Sequence, residues 1–322
     1  VVEDAVESKI PPQEKRSTKG MRSSRMKTEQ KAKGDEALRE AQQLVTAPSG
    51  RLSKMLWKAD RERAAKLFAD AGNHFQAAGT KELAVMAFSR AGDEYAKKEL
   101  YYQAAQALVK AAVAFETSSD LWSKAGEYWQ LAGETRTAAE TYARGAKKVV
   151  KPKDLWKMVL DVEAKHLEEQ SAQAFTYLVA NAESDEELRT SLETYYPKLQ
   201  DALKGLPEDH PSRFRAATAR CCLYLVLKDL KAADAAFLDA LSASSTYAQS
   251  PQAQVADDLL AAIKTKDPDA LRAALSTRAI SHLDFDVGRL VQKRVSLFSD
   301  AGHDDDTLET DIDDDDQLPD LS

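Results

Sequence analysis

Cysteine is almost absent from this chain: of 322 residues only Cys221 and Cys222 are cysteines, adjacent in the apolar run "ATARCCLYLVL". That excludes a disulfide framework and a zinc site built on spaced thiols, and it fits a reducing compartment. No stretch approaches the roughly 18 uninterrupted apolar residues of a membrane-spanning helix. Glu3, Asp4 and Glu7 among the first valines do not suit a signal peptide, so a cytoplasmic protein is expected. The sequence begins without Met, and Met21 and Met26 are expected as alternative starts. Nowhere does apolar and polar alternation run on as a strand needs, which points to an all-α fold. Gly-rich phosphate loops are missing, which removes the P-loop and dinucleotide routes to nucleotide binding. The five histidines, His74, His166, His210, His282 and His303, are scattered with no second ligand at metal spacing. No catalytic residue, cofactor or metal is therefore expected, and the chain reads as a non-enzyme.

What is present is charge, unevenly spread. The formal net charge is -8, but residues 300–322 hold eleven acids and no Lys or Arg, so the rest of the chain sums to +3. Residues 1–34 carry nine Lys or Arg against five acids, with Pro11, Pro12 and few apolar groups, and are expected to form a disordered basic arm. Residues 299–322, ending "DIDDDDQLPDLS", are expected to form a disordered acidic tail. A run of aspartates cannot pack, and its ordinary meaning is a solubilising charge run. Two sharper readings fail on the residues. An EF-hand counted from Asp311 needs Gly at its sixth position and Glu at its twelfth, and finds Asp316 and Ser322. A Mg²⁺ site of the isoprenoid-synthase kind needs aspartates on helices around an apolar cavity, and this tail has no apolar face.

Small residues followed by an aromatic recur with a helical-hairpin period: "AGNHF" at 71, "AGDEY" at 91, "AAVAF" at 111, then "AGEYW" at 125 and "GAKKV" at 145. A spacing of about 20 fits one helix plus its turn, and two such units approach the roughly 34–40 residues of a tetratricopeptide-like pair. Ala and Gly let helices approach closely, and Phe75, Tyr95, Phe115 and Trp129 are expected to fill the gaps beside them. The expected fold is a right-handed solenoid of tetratricopeptide-like helical hairpins over 35–245. Shorter, denser helices follow, "AQVADDLLAAIKT", "DPDALRAALST" and "LDFDVGRLVQKRVSLF", expected as a helical bundle over 246–298 that caps the solenoid. Ser184 with Glu187 forms a capping box, and Ser250–Pro251 and Asp267–Pro268 read as caps followed by first-turn prolines. Between about Val150 and Pro211 the small-then-aromatic repeat is lost, and a shortened or irregular hairpin is expected there.

Taken together these stretches resemble the soluble NSF attachment proteins (SNAPs), and within that family the gamma branch. The resemblance is carried by "MKTEQKAKGDEALREAQQ" from Met26, "LWKADRERAAKLFADAGNHFQAAG" from Leu56, "AGETRTAAETYARGAKKV" from Ala132, "LKDLKAADAAFLDAL" from Leu227 and "DDLLAAIKTKDPDALRAAL" from Asp257. It covers most of residues 26–298 loosely, through packing patterns and not catalytic signatures. The family's acidic C-terminus with a penultimate leucine is matched by Asp313, Asp314, Asp315, Asp316 and Asp320 followed by Leu321. Its membrane-dipping loop between the first two helices is matched by "GRLSKMLWKAD", with Leu52, Met55, Leu56 and Trp57 among Arg51, Lys54 and Lys58.

The resemblance implies an adaptor that binds assembled SNARE complexes and recruits the hexameric AAA ATPase NSF to disassemble them. The aspartates would meet basic N-terminal domains of NSF while Leu321 supplies an apolar anchor. Lys110, Arg144, Lys147 and Lys148 are the candidates for an acidic SNARE bundle. The implied location is cytoplasmic with peripheral membrane contact, and nucleic acid is not among the expected partners. The alternative is a tetratricopeptide-type co-chaperone or scaffold that grips acidic peptide tails. It needs a Lys, Asn and Arg clamp, and the repeats show no recognisable set.

Overall fold

The computed structural model describes residues 14–46, 60–162, 167–283 and 285–296, and every regular element among them is a helix. The loop residues Leu52, Met55, Leu56 and Trp57 lie outside the described residues, as do Asp313, Asp314, Asp315, Asp316, Asp320 and Leu321. The chain divides into two compact units at Ala174/Phe175, inside a helix, whereas the sequence pattern suggests a boundary near 245.

The first unit is a sequential stack. Helices α1 (Glu14–Val45), α2 (Arg61–Ala78), α3 (Lys81–Ala96), α4 (Tyr101–Ala114), α5 (Ser119–Leu131), α6 (Thr135–Ala146) and α7 (Lys153–Asp161) each pack on the next. Short turns make neighbours antiparallel. Their recurring device is a left-handed residue just past the helix end: Gly79 after α2 and Gly133 after α5, both at φ 81, and Glu99 after α3 at φ 59. Thr80 and Glu134 then donate their N–H groups back to the carbonyls of Phe75 and Trp129, which satisfies last-turn acceptors and turns the chain.

Close approach is set by glycine facing an aromatic or leucine of the adjacent helix. A Cβ on Gly72 would come within 2.6 Å of Phe88, on Gly92 within 2.9 Å of Leu108, on Gly126 within 2.1 Å of Tyr142 and on Gly145 within 2.5 Å of Trp122. The small-residue repeat therefore does the packing work expected of it. The partners differ in part. Phe75 fills the gap at Gly34, and Tyr95 and Trp129 are buried, but Phe115 is 56% exposed. Phe115 caps α4 at φ -128 and ψ 71, so the backbone has left the helix and the ring swings away from the interface.

The disordered arm expected over residues 1–34 is corrected for residues 14–34, which belong to α1. Two contacts hold the later part of this polar segment. Gly34 lies against the Phe75 ring, and Gln30 Oε1 is 2.7 Å from His74 Nδ1, so α1 is docked on α2 through its second half. From Arg25 to Lys33 its charges stay outside, as in the Glu29–Lys33 pair one turn apart at 2.9 Å. Residues 1–13 lie outside the described residues.

The second unit comprises α8 (Glu168–Ala180) from Phe175 onward, α9 (Asp185–Leu203), α10 (Pro211–Val226), α11 (Leu230–Ala243), α12 (Ser245–Ala248), α13 (Pro251–Thr265), α14 (Pro268–Leu275), α15 (Arg278–Ser281) and α16 (Phe285–Val295). Here packing is not purely sequential, because α9, α11, α13 and α16 all rest on α10. Every residue from Cys221 to Val226 is buried, so this part of α10 is apolar all round, as a hub must be. Burial pushes the Cys221 thiol up to about 12 and Cys222 well above the ordinary thiol range, which leaves both unreactive. The caps fall where the sequence puts them. Ser184 accepts from Glu187 N while Glu187 Oε2 accepts from Glu183 N, and Ser250 and Asp267 accept from Ala253 and Ala270.

A candidate partner-binding surface

The four basic candidates belong to alternate helices of the first unit. Lys110 is in the last turns of α4, Arg144 in the last turn of α6, and Lys147 and Lys148 follow α6 directly. Ends of α4 and α6 meet, because Lys148 Nζ lies 3.2 Å from Glu116 Oε2 just past α4.

Lys110 and Arg144 occupy the same repeat position. Each precedes a small pair, Lys110–Ala111–Ala112 and Arg144–Gly145–Ala146, and each lies over an aromatic ring 22 residues earlier on the preceding helix. Lys110 Nζ is 5.5 Å from the Phe88 ring centroid and the Arg144 guanidinium carbon 5.6 Å from that of Trp122. The helical reason is simple: the small pair presses on the neighbouring helix, so the residue before it emerges at the rim of the contact and its aliphatic stem runs over the ring beneath. At an exposed site such a contact adds about 0.5–1 kcal/mol, and it holds the cation in place before a partner arrives.

The four differ in how free their charge is. Arg144 and Lys147 are exposed and have no carboxylate partner among the described residues. Lys148 is committed to Glu116. Lys110 donates to Asn73 Oδ1 at 3.3 Å and lines a groove of about 360 Å³ between α2 and α4 with Lys66, Asp70, Gln103 and Gln106. Asp70 replaces the cation at the repeat position of α2, so this groove is mixed in charge while the end of α6 is basic.

Sequence reasoning missed two members of the same series. Arg90 precedes Ala91–Gly92 and lies 6.0 Å over Phe68, again 22 residues back, and Lys124 precedes Ala125–Gly126. The signal was in the sequence, one position ahead of the small pair that was read for packing alone.

This surface is built of cations that lie over aromatic rings. Its cations can steer, orient and hold an acidic, extended partner, and the stacked pair at Lys110 and Arg144 gives two such points at one repeat's separation along the hairpins. Among the described residues no cluster of three metal-ligating side chains occurs, and no helix is long and apolar enough to cross a membrane. No protein-family model matches the chain, and no curated protein matches it significantly.

Proposed function

We propose that this protein is an adaptor of the soluble NSF attachment kind, which lies along an assembled SNARE four-helix bundle and presents its acidic C-terminus to the ATPase NSF. The observation that carries the reading is the pairing in one chain of a hairpin stack bearing aromatic-stacked cations with a tail of eleven acids that ends in a penultimate leucine. A stack of hairpins offers an extended face to a rod-shaped partner, and Arg144 and Lys147 are among its exposed cations with no carboxylate partner among the described residues. Leu52, Met55, Leu56 and Trp57 add a peripheral membrane contact in this reading, with Arg51, Lys54 and Lys58 attracted to anionic lipid.

In the tail, charge and anchor have separate tasks. Screened aspartate contacts at a wet rim steer association, whereas burying Leu321 adds about 1.5–3 kcal/mol. Leu321→Ala is expected to leave SNARE-complex binding intact and to lower the rate of NSF-driven disassembly at limiting NSF. A disassembly rate equal to the parent's at every NSF concentration would reduce the tail to a solubilising charge run.

A further inference from the structure

A cleft of about 270 Å³ opens in the second unit between α9, α10 and α11. One wall is alanine: Ala216 and Ala217 on α10 face Ala236, Ala240 and Ala243 on α11. Phe214 and Tyr247 pack against each other at its border with centroids 5.7 Å apart, and the Tyr247 hydroxyl is tied to Thr218 Oγ1 at 2.9 Å. The room corresponds to about nine waters at their liquid volume of about 30 Å³, or an aliphatic chain of about eight carbons with a small head group.

Three cations line the cleft beside the carboxylates Asp201, Glu208 and Asp239: Lys204 pairs with Asp201, and Arg213 donates to the Leu206 carbonyl at 3.2 Å. Arg220 is different. Its guanidinium carbon lies 5.0 Å from the Tyr196 ring centroid and 5.9 Å from that of Tyr224, so the fork rests near two aromatic rings. Its one ion pair among the described residues is with Asp239, at 3.4 Å, and the Asp239 side chain is 67% exposed. A guanidinium has five N–H donors, and one long contact to a solvated carboxylate leaves most of them unused. A pre-oriented fork of this kind is suited to a planar anion that accepts two parallel hydrogen bonds.

We propose that this cleft binds a medium-chain aliphatic carboxylate, with its head group on Arg220 and its chain along the alanines of α10 and α11. The alanine wall offers no polar discrimination and accepts a methylene chain; Arg220 supplies the selection for an anionic, planar head. The inference rests on the second unit alone and is independent of the adaptor reading.

The test is titration of the full chain with octanoate, followed by calorimetry and by the NMR signals of the arginine side-chain N–H groups. Saturable binding of one octanoate per chain is expected, with the Arg220 signal moving. Arg220→Gln is expected to weaken it about tenfold or more. Ala240→Phe fills the cleft from a half-exposed position and is expected to block binding while Arg220 stays in place; circular dichroism of both variants should match the parent. Octanol, with the same chain and a neutral head, is expected to bind far more weakly. Absence of saturation up to about 10 mM octanoate, equal binding of octanol, or parent-like binding by both variants overturns the proposal. Tighter binding of octyl phosphate than of octanoate overturns the carboxylate assignment.

Discussion

Gly126 leaves no room for a methyl group. A Cβ there would lie 2.1 Å from Tyr142 Cε1 and 2.4 Å from Cζ, and Tyr142 is itself buried. In an exposed helix Gly→Ala stabilises by about 1 kcal/mol, whereas forcing a methyl into a packed interface costs about 1–3 kcal/mol. Gly126→Ala is expected to destabilise the protein in urea unfolding, and a gain in stability would mean that the ring does not press on α5 there. Glu94 sets a second residue-scale test. Its side chain is 10% exposed and bridges α2 to α3 by accepting from Arg61 at 2.7 Å and from Lys97. Burial pushes its carboxyl up, and the hydrogen bonds from Lys97 and Arg61 more than offset this, so it titrates below the usual carboxylate range. A depressed folded-state pKa contributes stability that is present above the unfolded value, near 4.5, and lost as pH falls through the folded one. Because Arg61 and Lys97 are 37% and 52% exposed, the contribution is about 1–2 kcal/mol and not that of a fully buried pair. Glu94→Gln is therefore expected to be less stable than the parent at pH 7, with the gap narrowing as pH falls below about 4.5; a gap that does not narrow with falling pH would place the effect in packing.

At the scale of elements, the end of α6 is where the proposed partner surface can be tested cleanly. Arg144, Lys147 and Lys148 lie within two turns, but Lys148 already has Glu116 and the other two have no such partner among the described residues. Charge reversal of Arg144 and Lys147 to Glu is expected to weaken binding of an assembled SNARE complex and to flatten its salt dependence. Reversal of Lys148 alone is expected to do less, since much of its charge is spent within the chain. Unchanged affinity and salt slope for the double reversal would assign the partner to another face. Much of this was legible in the sequence: the period of about 20, the small pairs, the capping box at Ser184 and the two first-turn prolines all mark real elements. What was not legible has physical causes. Residues 14–34 of α1 carry almost no apolar stripe, so their sequence reads as an arm, and the contacts of Gln30 with His74 and of Gly34 with Phe75 are visible only in the fold. Phe115 fits the repeat by spacing, yet a helix cap turns it outward. Asn73 and Glu116 could not be assigned to Lys110 and Lys148 without the fold, because those pairs are 37 and 32 residues apart in sequence.

At the scale of the molecule, two modes of packing and one asymmetry of charge stand out. The first unit is held by nearest-neighbour contacts between successive helices, and the second by four helices resting on α10. Outside residues 300–322 the chain carries +3, and those residues hold eleven acids and no Lys or Arg. In the proposed adaptor these are the two ends of one task, with the basic hairpin stack on an acidic bundle and the acidic tail on the ATPase that dismantles it. Long-range attraction of that kind speeds encounter and fades with salt, while Leu321 and the hairpin contacts set the residence time. The most direct measurement is capture of NSF, held in a non-hydrolysing nucleotide state, by the immobilised full chain with and without an assembled SNARE complex. The account predicts that the SNARE complex is retained on its own, that NSF is retained strongly only when the complex is present, and that Leu321→Ala loses NSF while keeping the complex. Retention of neither the complex nor NSF by the parent chain at physiological salt would contradict it.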